Sequence, residues 1–224
     1  MRSLSTLAIT CLVAAPVLGG PVLYTFDVTA GSVIVDIDDV GSTTSAIEGT
    51  FALTLYQSDG HIGESDTFVL QDADLFNTSH MALPLSGIAT SHLMPGSLRM
   101  LDFLPDGPAH IGSGGQSAVN TPLDVSALFI VTGAFEDTYY CHAPTASQLF
   151  ALGLSTSTSQ SDVVTASLAG SASWIVPIPD IGMTITYDLI IDLEGTAHVA
   201  PDPALGGLVA LGVAGASARL RRRR

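Results

Sequence analysis

The sequence predicts an all-β body, a single antiparallel sandwich or barrel-like domain of about ten strands, followed by one C-terminal transmembrane helix. Three observations carry that reading. Apolar residues alternate with polar ones in run after run, the period of a half-buried strand. Clusters of Gly, Pro, Asp and Ser separate the runs, as in sandwiches and barrels. Charged residues make up only 12% of the 224-residue chain while 47% is hydrophobic, so a body of about 180 residues has ample material for one core.

In chain order, Val22, Tyr24, Phe26 and Val28 alternate with Leu23, Thr25 and Asp27, and Val33, Val35 and Ile37 repeat the pattern. Ile47, Gly49, Phe51, Leu53 and Leu55 form one face of a longer strand that ends at the Asp59-Gly60 turn signal. The clearest run is 181–193, where every odd position is apolar or aromatic and the even ones include Thr184, Thr186, Asp188 and Asp192. Further strands are expected over 67–70, 81–85, 87–93, 98–104, 123–132, 163–168, 171–176 and 196–199. Only 147–154 reads as helical, and the breaker-rich stretch 105–122 reads as a surface loop or a seam between subdomains.

The two ends of the chain differ from this body. Met1 to Gly19 carries Arg2, an apolar run from Leu4 to Leu18 and then small residues, which is the anatomy of a secretory signal peptide cleaved after Gly19. Cys11 leaves with it. At the other end Pro201, Asp202 and Pro203 precede a run without charge from Ala204 to Ala218, closed by Arg219 and by Arg221, Arg222, Arg223 and Arg224. As a helix, the roughly 17 residues from Ala204 to Leu220 would extend about 25 Å, at the short end of what spans a hydrocarbon core. The arginines would face the cytoplasm and the body the outside. Gly206, Ala210, Ala214 and Ala218 recur every four residues, giving one small face for close packing against another helix. The two prolines hold the segment before the helix extended and open to a protease.

This tail resembles the PEP-CTERM sorting signal: a Pro-Glu-Pro-like motif, a hydrophobic helix and a terminal arginine cluster. Asp202 stands where Glu is usual, which keeps the carboxylate on a shorter arm. The resemblance covers about the last 25 residues and leaves the body unassigned. It implies a partner, an exosortase-type membrane protease, and release or re-attachment of the body at the cell surface. The expected organisation is therefore a signal peptide over 1–19, an extracellular β-rich domain over 20–199 and a sorting signal over 200–224, transiently anchored in the membrane.

Between the signals, residues 20–200 hold twenty acids against one cation, Arg99, a formal charge of −19. Such a body repels nucleic acid and anionic lipid. The chain has no lysine, hence no phosphate-binding Gly-x-x-x-x-Gly-Lys loop, and it has no Gly-x-Ser-x-Gly elbow. Six histidines are scattered singly, none paired at the spacing of a zinc helix. Cys141, alone in the mature body, reads as a small buried hydrophobe and can form no intrachain disulfide. Trp174, beside Ile175 and Val176, reads as core.

Asp36, Asp38 and Asp39, followed by Gly41, are the nearest approach to a calcium loop. Val40 and Ile47 occupy two ligand positions of the EF-hand pattern, so only a less regular oxygen cage remains, completed by Asp39 or Glu48; Asp72 and Asp74 repeat the spacing. No cofactor is expected, with calcium the one candidate.

The function expected is that of a noncatalytic exported protein of a bacterial cell surface or exopolysaccharide matrix, processed by an exosortase. A calcium-dependent carbohydrate-binding or adhesion module is the alternative, with a secreted polysaccharide-acting enzyme behind it.

Overall fold

The computed structural model describes residues 21–37, 40–57, 62–64, 66–85, 87–134, 136–156, 163–178 and 183–198. Residues 1–20, where a signal peptide is expected, Asp38, Asp39 and the whole tail from Pro201 to Arg224 lie outside the described residues. No helix among those described is long and apolar enough to cross a membrane.

Among the described residues twelve strands follow one another: β1 (Pro21–Ile37), β2 (Gly41–Tyr56), β3 (Thr67–Asn77), β4 (Met81–Leu85), β5 (Ala89–Phe103), β6 (Ala109–His110), β7 (Gln116–Thr121), β8 (Leu123–Gly133), β9 (Asp137–Pro144), β10 (Gln148–Thr156), β11 (Val163–Ile178) and β12 (Met183–His198). All pairings are antiparallel. Ten strands run in the order β7-β10-β11-β12-β1-β2-β3-β5-β8-β9, with β4 added to β5 and β6 to β3.

This sheet is strongly curled into a half-barrel. Phe129 of β8 and Trp174 of β11 stand six strands apart along the order, about 29 Å in a flat sheet at roughly 4.8 Å per strand. Their ring centroids are nevertheless 5.8 Å apart. Phe103 of β5 meets Phe150 of β10 edge-on at 6.1 Å across the same interior. Alternation supplies this core: Tyr187, Leu189, Ile191 and Leu193 of β12 are all buried, while Asp192 and Glu194 face outward. Each large apolar side chain so buried contributes about 1.5–3 kcal/mol.

The two ends of the strand order are the two halves of one bent hairpin. β7 runs through Pro122 into β8, and β9 runs through 145–147 into β10. At the bend the Leu123 amide donates to Thr145 Oγ1 at 2.9 Å and the Thr145 amide donates to the Leu123 carbonyl at 2.8 Å. A proline with no amide to give and a threonine that supplies a hydroxyl let the pair turn from one half of the sheet to the other without orphaning a buried backbone group.

Several expected strands merge. The runs 22–28 and 33–37 are one strand, β1, whose pairing with β12 shifts between Val28 and Ala30 and whose pairing with β2 lapses between Asp27 and Ser32. Such bulges sharpen local twist and so help the sheet to curl. Two expectations are corrected. The segment read as helical, 147–154, is strand β10: Phe150, Leu152 and Leu154 point into the core, and Gly153 lies where a Cβ would come within 2.6 Å of the Ser167 hydroxyl. The stretch 105–122 is no seam, because its last part is β7, paired residue for residue with β10 from Gln116 to Thr121. Trp174 is core as expected, at 1% exposure.

Candidate functional site

The outer face of β3, β5 and β8 carries a rung of carboxylates. Asp72 pairs with Asp102, and Asp102 pairs with Asp124, so three acids stand side by side across three strands. Like charges directly opposite one another are unfavourable in a sheet. The Asp102 carboxyl responds by titrating above its ordinary value, first through partial burial, then through the charges of Asp72 and Asp124, with the Ala73 backbone group lowering it in part. His142 on β9 closes the row, its Nε2 lying 3.0 Å from both oxygens of Asp124. Asp74, beside the rung, is held by Arg99. Among the described residues, no three His, Cys, Asp or Glu side chains converge closely enough to hold a metal ion.

The residues expected to bind calcium are only partly brought together. Asp36 lies across from Asp188 of β12, whose carboxylate accepts a hydrogen bond from Ser173 Oγ at 2.5 Å. Asp38 and Asp39 lie outside the described residues. Glu48 is not a partner: Asp36 pairs with Ser42, and six further residues of β2 place Glu48 about 20 Å along the strand. Asp72 and Asp74 do not form a second cage, because Arg99 takes Asp74. Cys141 and His142 point apart as adjacent strand residues do. The thiol, half-buried against the core, is pushed above its usual pKa by burial, and the imidazole faces solvent.

Two histidines that the sequence leaves single do meet. β4 and β5 form a hairpin pairing Met81 with Leu93 and Ala82 with His92, which brings His80 and His92 onto one outer face. His80 Nε2 and His92 Nδ1 are 3.0 Å apart, and His92 Nε2 is 2.9 Å from Thr132 Oγ1 on β8.

A groove of about 370 Å³ lies over β10, β11 and β12, lined by Thr29, Gly153, Ser155, Thr165, Ser167 and Glu194 among others. Its lining is small and polar. The Ser155 and Thr165 hydroxyls share a hydrogen bond of 2.6 Å, and among the described residues Glu194 is the one charged side chain along the groove. Hydroxyls, backbone and one carboxylate suit hydrogen bonding to a polyhydroxylated ligand. Glycoside hydrolysis ordinarily employs two carboxylates, and the described residues of this groove supply one. No protein-family model, curated protein or solved structure matches this chain.

Proposed function

We propose that this chain is an exported, noncatalytic protein of a bacterial cell surface or exopolysaccharide matrix, delivered with a removable C-terminal address that an exosortase-type protease recognises. The carrying observation is the tail itself: Pro201, Asp202 and Pro203, then an uncharged run, then Arg219 and Arg221 to Arg224, sorted end to end. The fold is compatible with cutting there. The described strands begin at Pro21 and end at His198, so removing 1–19 and everything after about 200 interrupts none of them. The hydroxyl-lined groove is the surface we assign to an extracellular polysaccharide.

Expression of the full chain in hosts with and without the sorting protease, followed by intact-mass measurement of the product, tests the proposal. The expected result is loss of the residues beyond about 200 only where the protease is present. A product that keeps its tail in both hosts would instead be a plain membrane-anchored protein.

A second reading, calcium-dependent binding, is favoured by the facing carboxylates of Asp36 and Asp188. Calcium at about 5 mM, above the roughly 10⁻³ M at which weak extracellular modules bind, should then raise the melting temperature. An unmoved melting temperature removes it.

A further inference from the structure

We infer that His80 and His92 form a two-imidazole binding site for a late first-row transition ion, with copper preferred. The pair is created by the fold alone, since the two histidines are 12 positions apart in sequence and the β4–β5 hairpin brings their ring nitrogens to 3.0 Å. Two metal–nitrogen bonds of about 2.0–2.1 Å set their nitrogens about 2.9 Å apart at a right angle and about 3.3 Å apart at the tetrahedral angle. The observed separation lies between those values. What must change is aim: the two rings now direct their nitrogens at each other and have to turn towards a common point. His80 is exposed and lies just before β4, so its ring can turn without disturbing the sheet.

One neighbour favours metal over a merely structural hydrogen bond. Thr132 Oγ1, 2.9 Å from His92 Nε2, can accept that N–H and thereby fix the tautomer whose Nδ1 presents a lone pair. Divalent copper heads the affinity order for imidazole nitrogens among the late first-row ions, which sets the expected preference. Water would fill the remaining positions. With no lysine in the chain and Arg99 as the sole cation of 20–200, little positive charge opposes a cation here.

The test is calorimetric titration of the full chain, untagged and in mild detergent, with Cu²⁺ and with Zn²⁺. Expected is one saturable Cu²⁺ site in the micromolar range and weaker Zn²⁺ binding. His92→Gln and His80→Gln should each weaken Cu²⁺ at least about ten-fold, Thr132→Val by roughly ten-fold through His92 orientation, and His110→Gln should leave it unchanged. If His92→Gln does not fold, as judged by circular dichroism, His80→Gln decides alone. Absence of saturable Cu²⁺ binding below about 100 µM, or binding that survives His80→Gln at parental strength, overturns the assignment.

Discussion

Phe129→Ala is the perturbation that interrogates the curl of the sheet most directly. Phe129 is 3% exposed and stacks with Trp174 at 5.8 Å and with Tyr187 at 5.2 Å, on two strands that never hydrogen-bond to its own. Removing a buried Phe side chain costs about 3–5 kcal/mol, and two ring pairs add roughly 0.5–1.5 kcal/mol each beyond burial, part of it already counted. A loss of about 4–5 kcal/mol is therefore expected, against a total stability of about 5–15 kcal/mol for a domain of this kind. With a urea slope of about 2 kcal/mol per molar, the unfolding midpoint should fall by about 2 M. Trp174, the only tryptophan in the chain and 1% exposed, reports that transition by its fluorescence. A midpoint shift under about 0.5 M would mean that the two halves of the sheet do not pack through these rings, and the half-barrel would have to be abandoned.

Two further perturbations test the backbone and the buried phenol. Gly49 sits at φ +123°, and a Cβ there would lie 1.9 Å from the Asp74 carbonyl oxygen, so Gly49→Ala should cost at least about 3 kcal/mol, whereas Gly107→Ala, with nothing within 4 Å, should stay within about 0.5 kcal/mol in thermal unfolding. Equal effects of the two would refute the close approach of β2 to β3. The Tyr187 hydroxyl is pushed up to about 12 by burial; the Ser91 hydroxyl lowers it slightly, although no well-formed hydrogen bond joins them, and Cys141 raises it. Because the folded value lies above the unfolded one near 10, this contribution is whole below pH 10 and is lost as pH rises towards 12, about 1.4 kcal/mol of it by about pH 11. Tyr187→Phe should lack that alkaline loss when urea midpoints at about pH 8 and pH 11 are compared, and an identical loss in parent and variant would contradict it.

Local patterning made most strands legible. The alternation over 181–193 reflects the burial of β12 because that strand lies between β11 and β1, with one face on the core and the other outward. β9 escaped because it is paired on one side only: from Asp137 to Pro144 its residues alternate only between half-buried and exposed, and Tyr139, Tyr140, Cys141 and His142 show no period in composition. β10 escaped because Leu149, Phe150, Ala151, Leu152 and Leu154 satisfy either a short helix or a strand, and only packing against β7 and β11 decides between them. The histidine pair was within reach, since strands over 81–85 and 87–93 closed by Gly87 imply a hairpin that sets His80 near His92. The carboxylate rung was not, because the registers of Asp72 with Asp102 and of Asp102 with Asp124 are set by pairings between distant segments.

The bent hairpin also explains how so curled a sheet limits its exposed edges. A long open sheet ends in two rows of unpaired amides and carbonyls that invite a second chain. Here both terminal strands, β7 and β9, are short halves of the same hairpin, and each is continued by a partner in the opposite half of the sheet. β7 covers six residues, and β9 ends in Pro144, which has no amide to donate. The Ala146 amide, just past that end, reaches the Ser173 carbonyl at 3.0 Å and ties the bend to β11. Twenty acids against one cation over 20–200 add mutual repulsion between copies. Edge protection by topology and repulsion by charge act against the same failure, strand-to-strand aggregation, and both follow from the chain itself, whatever its location.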